Sequence, residues 1–229
     1  LRMMFTCCHP ALSREAQIAL TLKTLCGFGV PEIARAFLAP ESTIAQRITR
    51  AKHRISEAAV PFGAPDAFER AERIHAVAAM IYLIFNEGYS ALDEEAPARA
   101  PLCDEAIRLA RLLLRLFPAE PEIMGLLALL LLQHSRAAAR FDANGSIVLL
   151  DDQDRGLWHQ GMIAEGLALV DKAMRHRRPG PYQIQAAVAA LHARAKQASD
   201  TDWAEIELLY AGLEQLQPSP VVALNRAVA

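Results

Sequence analysis

The stretch Pro31-Glu-Ile-Ala-Arg-Ala-Phe-Leu-Ala-Pro-Glu-Ser-Thr-Ile-Ala-Gln-Arg-Ile-Thr-Arg-Ala-Lys-His-Arg-Ile55 decides the fold of the N-terminal part. Pro31 can open a short helix over residues 31–37, because a proline at the first helical position gives up an N–H that has no partner there. Ile33, Ala34 and Phe37 form its inner face. Leu38-Ala39-Pro40 makes a turn. A longer helix over residues 41–58 then carries Ile44, Ile48, Ala51 and Ile55 at 3-4 spacing on its own inner face. Ala34 is small enough to let the two helices cross closely. Two helices with a tight turn and facing apolar sides make the helix-turn-helix pattern.

The outer face of the longer helix carries Ser42, Thr43, Gln46, Arg47, Arg50 and Arg54. The N-terminal end of a recognition helix enters the major groove, so Ser42, Thr43, Gln46 and Arg47 are placed for base edges. Arg pairs bidentately with guanine, and Gln with adenine. Arg50, Lys52 and Arg54 lie further along and suit phosphate contacts, which position without specifying. The bland reading is a solvated cationic face in a helical bundle. The turn, the inner-face spacing and the basic outer face coincide, which favours DNA as a partner.

Working outward, residues 12–28 read as a preceding helix, with Ser13 as cap and Gly29 just past the end. These helices make a three-helix module over residues 1–60. Pro61, Gly63 and Pro65 mark residues 60–65 as a linker. Residues 61–229 read as a second, larger helical domain. Its expected helices cover residues 67–86, 103–117, 121–139, 155–176, 181–195 and 201–217, and a last one starts near Pro220. Residues 90–101 read as a proline-containing loop. Asn144-Gly145 is a type I′ turn signal, so residues 147–150 are either a weak strand or a loop. The expected fold is all-α: a helix-turn-helix module joined to a tetratricopeptide-like helical array, although no clean 34-residue period is present. The start at Leu1 rather than Met, and the stop inside a helix at Ala229, suggest a fragment whose array continues.

The charge divides with the domains. Residues 1–57 hold eight Lys/Arg against four Asp/Glu, a net +4; residues 58–229 hold sixteen against twenty-two, a net −6. Only the first part is therefore expected to touch nucleic acid. No apolar run reaches the roughly 20 residues a membrane helix needs, and no signal peptide is visible. Cys7, Cys8, Cys26 and Cys103 form neither a disulfide framework nor paired metal ligands, which suits a reducing cytoplasm. Cys7-Cys8-His9 without a second ligand pair is weak support for a metal, and none is expected. Asp151, Asp152, Asp154 and Arg155 suit either a carboxylate or metal site or a helix start facing the dipole, the second being favoured. Gly88, in Asn86-Glu87-Gly88-Tyr89, reads as a left-handed helix cap. No phosphate-binding loop or hydrolase motif is present, and neither a cofactor nor catalysis is expected.

Residues 11–56 resemble region 4 of the extracytoplasmic-function sigma factors, through Glu32-Ile33-Ala34, Thr43-Ile44 and Arg50-Ala51. That family usually has Gly where this chain has Leu38, and often where it has Ser42. Leu tolerates positive φ poorly, so the turn is expected to differ in detail. The remainder is similar to the subgroup with a long tetratricopeptide-like extension. The carrying phrases are Phe5-Thr-Cys-Cys-His-Pro10, Tyr82-Leu-Ile-Phe-Asn-Glu-Gly-Tyr-Ser90, Leu150-Asp-Asp-Gln-Asp-Arg155, Gly180-Pro-Tyr-Gln-Ile-Gln185 and Ala223-Leu-Asn-Arg-Ala-Val228. The resemblance implies transcription initiation with core RNA polymerase at promoters read through their −35 element. It also implies a region 2 preceding Leu1. The net −6 charge and the stacked helical hairpins of the extension point to a regulatory protein as a further partner. The rival readings are a helix-turn-helix regulator with a ligand-sensing or dimerising helical domain, and an enzyme or metal-binding domain around Asp151 to Arg155.

Overall fold

The computed structural model describes residues 2–57, 67–89 and 96–229. The expected linker over residues 60–65 lies outside the described residues. The described part is all-helical and divides into two compact units, residues 1–106 and 107–229.

In the first unit, a short helix α1 (Arg2–Cys7) that residue spacing did not signal precedes α2 (Arg14–Thr24), α3 (Val30–Ala36) and α4 (Glu41–Glu57). Ser13 caps α2, its hydroxyl accepting the Ala16 N–H. The Gln17 amide donates to the carbonyls of Cys8, His9 and Leu12, which stitches the Cys-Cys-His-Pro segment onto α2. α2 ends at Thr24, four residues sooner than its apolar run suggested, because Gly27 takes the left-handed conformation at φ +77° and lets the Phe28 N–H reach the Leu22 carbonyl. Gly29 instead caps α3, with the Glu32 carboxylate accepting its N–H.

α2 and α3 both pack on α4, burying Ile33, Ala34, Ile44, Ile48 and Ala51. Phe37 and Ile55 are half-buried at the margin. A long helix α5 (Ala67–Tyr89) packs on α1 and α2 and buries Ile74, Val77, Ala78, Ile81 and Phe85. Gly88 lies inside α5 rather than capping it, since the helix runs on to Tyr89.

Leu38 adopts φ +48°, so the turn between α3 and α4 keeps the left-handed residue that glycine would fill. Its side chain is 66% exposed and recovers little by burial. An L-residue in this conformation costs about 1–2 kcal/mol, while glycine loses about 0.5–1 kcal/mol more backbone entropy on folding. Leu38→Gly should therefore stabilise the unit, by roughly 0.5–1 kcal/mol on balance. Slower amide exchange at Ile33 and Ile44 is the expected readout; faster exchange would mean that the leucine side chain contributes more than its exposure suggests.

α6 (Ala96–Leu116) begins seven residues before the expected start at residue 103 and contains Pro101. Proline reads as a breaker, but as the sixth residue of α6 it removes a single ladder bond and the helix continues through it. In the second unit α7 (Pro121–His134) is the central helix, and residues 123–132 are all buried. Its apolar character on every side follows from its neighbours: α8 (Gln160–Met174) and α9 (Pro181–Arg194) both pack against it. α10 (Trp203–Leu216) packs on α9, and α11 (Pro220–Val228) on α10.

Residues 141–147 form one isolated antiparallel bridge between Phe141 and Ile147, not a strand. Only Gly145 has positive φ, and its N–H bonds the Asp142 carbonyl. The turn is therefore a type I turn followed by a left-handed glycine, whereas type I′ needs positive φ at Asn144 as well. Asp142 fixes it, one carboxylate oxygen accepting the N–H groups of both Asn144 and Ser146.

Candidate nucleic-acid interface

The polar residues of α4 fall into two adjacent stripes. Ser42, Gln46, Thr49 and His53 recur at i, i+4, i+7 and i+11; Thr43, Arg47, Arg50 and Arg54 repeat the same spacing one residue on. All are exposed except Arg47, which is half-buried. Lys52 stands two residues from both Arg50 and Arg54, roughly 160° round the helix axis. The structure therefore brings six of the seven predicted site residues to one surface and leaves Lys52 on the opposite flank.

The second stripe borders a groove whose far wall is the start of α2, with Leu12, Ser13 and Ala16 facing Thr43, Gln46, Arg47, Arg50 and Arg54. Two arginines are held across it. Arg47 makes an ion pair with Glu15 at 2.9 Å, with 26% of the Arg47 side chain and 69% of the Glu15 side chain exposed. Arg54 donates to the Ala11 carbonyl at 3.3 Å. Thr49 donates to the Ala45 carbonyl, so its hydroxyl proton is committed to the helix. His53 approaches Glu57 at 3.2 Å, one turn on. The surface combines forked cationic donors with neutral Ser, Thr and Gln, the side chains that read base edges and grip phosphates. Thr49, His53 and Glu15 escaped the sequence reading. The first two were legible in the i, i+4 period, whereas Glu15 belongs to another helix and carried no local signal.

Cys7 and Cys8 face the core, where burial pushes both thiols up; Cys7 Sγ lies 3.2 Å from Thr24 Oγ1. The acidic run occupies two short 3-10 turns, Leu150–Asp152 and Arg155–Leu157, and α8 starts only at Gln160 under a His159 cap. The run thus sits before the helix rather than in its first turn, because the Asp154 carboxylate accepts the Gly156 N–H and closes a separate turn. Arg155 donates to the His192 and Ala195 carbonyls at the end of α9 and stacks 4.6 Å from the Trp158 ring. Burial, reinforced by Arg136 and Arg155, lowers the His192 pKa to about 4. Among the described residues no three metal-ligating side chains converge, and no described helix is long and apolar enough to cross a membrane.

Residues 2–55 match the family Sigma-70, region 4, and residues 73–174 match DUF6596, a family of unknown function. Along all 229 residues the chain is 68% identical to an uncharacterized protein of Rhizobium meliloti, and it spans about half, 54%, of that protein's length. No solved structure matches it. The first four helices are thus a sigma region 4-like helix-turn-helix, a DNA-binding module of the sigma-factor type.

Proposed function

We propose that the chain is the promoter-reading and accessory part of a sigma factor of the extracytoplasmic-function class, which works with core RNA polymerase in the cytoplasm. One coincidence carries the reading: the segment that matches sigma-70 region 4 is also the segment whose α4 presents two polar and cationic stripes beside each other. In this reading α4 enters the major groove of a −35 element. Ser42, Thr43, Gln46 and Arg47 meet base edges, while Arg50 and Arg54 grip phosphates. Lys52, on the far flank, would reach phosphate only where the DNA curves toward that side. Polymerase performs the chemistry, and the chain itself carries none. The helices from α5 onward serve as a tetratricopeptide-like accessory array, whose net negative charge suits a regulatory protein better than phosphate.

Arg47→Ala should weaken promoter binding by roughly 1–3 kcal/mol and relax the preference at one base position. Arg54→Ala should weaken all sequences about equally and reduce the salt slope by about one. Electrophoretic shifts on matched and scrambled duplexes over a salt series measure both. If neither substitution changes binding, α4 is not the reading helix. Retention of core polymerase by the immobilised chain separates this reading from a conventional regulator, which would not retain it.

A further inference from the structure

We infer that Glu15, on α2, is the positioning residue for Arg47 and thereby sets base preference; the inference rests on the DNA-reading role proposed for α4. Arginine is a long side chain with many rotamers, and freezing it on a base edge costs entropy that a pre-set side chain has already lost. Glu15 holds Arg47 at 2.9 Å, and α2 is itself fixed by packing on α4. With its Glu15 end 69% exposed, an ion pair of this kind adds little to folding stability, so stability is a weak account of its presence. The guanidinium has five N–H donors in a rigid fork. Pairing with one carboxylate leaves the others to meet the two acceptors of a guanine.

The contact has a second consequence of opposite sign. Glu15 places a negative charge, 69% exposed, beside the groove that would face phosphates. It must therefore weaken binding to every sequence while sharpening the choice among them. A purely structural contact would leave the preference among sequences unchanged, and a carboxylate that merely sequestered Arg47 would lower the preference rather than raise it.

The test uses the whole 229-residue chain with two probes: the duplex it enriches from a randomised pool, and mixed-sequence duplex. Glu15→Ala should bind the mixed duplex roughly two- to fivefold more tightly at low salt, a gain that shrinks as salt rises. Its selected-to-mixed affinity ratio should fall about tenfold, the size of one good arginine–base discrimination. Arg47→Ala should lower the ratio similarly, and the double variant should lower it no further. Glu15→Gln keeps an acceptor without the charge and should restore most of the ratio. If Glu15→Ala leaves the ratio unchanged or raises it while Arg47→Ala lowers it, the positioning role is overturned and the DNA reading stands. If the wild-type chain enriches no sequence and Arg47→Ala has no effect, both are overturned together.

Discussion

Gly125→Ala should destabilise the C-terminal unit by about 2–3 kcal/mol, although alanine is the better helix former by about 1 kcal/mol. Gly125 lies in the middle of α7, where a Cβ would come within 2.6 Å of the Gln183 backbone nitrogen and 2.8 Å of its Cα. These atoms belong to α9 and cannot swing aside as a side-chain tip would, so the two helices must part. That separation opens an interior in which α7 is buried on every side. Helix propensity and packing therefore push in opposite directions, and packing outweighs propensity. Both tryptophans, Trp158 and Trp203, lie in this unit. Their fluorescence in urea reports it separately from the helix-turn-helix, and a midpoint at or above the wild-type value would show that the helices do not approach this closely.

Glu122→Ala should cost a comparable amount, about 2–4 kcal/mol, by stranding the start of α9. Gly180, the N-cap of α9, has no side chain to offer the first amides. The Glu122 carboxylate, from the first turn of α7, accepts the N–H groups of Tyr182 and Gln183 and the side-chain amide of Gln183. A lost cap costs about 1 kcal/mol, and a buried donor left without a partner costs about 1–3 kcal/mol. Gln183 is buried, so water cannot readily substitute. The same fluorescence titration serves, with amide exchange at Tyr182 and Gln183 as the local readout. Unchanged exchange there would show that α9 does not need the carboxylate.

Much of this protein was legible in its residues because the information was local. The inner faces of α3 and α4 follow from Ile33, Ala34, Ile44, Ile48 and Ala51 at helical spacing, and the structure buries all five. Six of the seven candidate reading residues share a surface for the same reason: they are neighbours on one helix, and its period fixes their directions. The errors were also local in kind. Pro101 read as a breaker although it falls within α6, Asn144-Gly145 read as type I′ although only the glycine turns left-handed, and Leu38 was expected to avoid a conformation that it adopts. In each case a residue's own preference of about 1–3 kcal/mol was outweighed by its surroundings.

The amino-acid order by itself determined an all-helical chain with a basic reading helix near its start, because periodicity, capping and charge act between residues a turn apart. It could not determine that Arg47 is held by Glu15, that Arg54 leans on the Ala11 carbonyl, or that Glu122 caps a helix 60 residues away. Those contacts exist only once helices have packed. A side chain's partner across an interface is set by the crossing of two backbones, a quantity no single stretch of sequence contains.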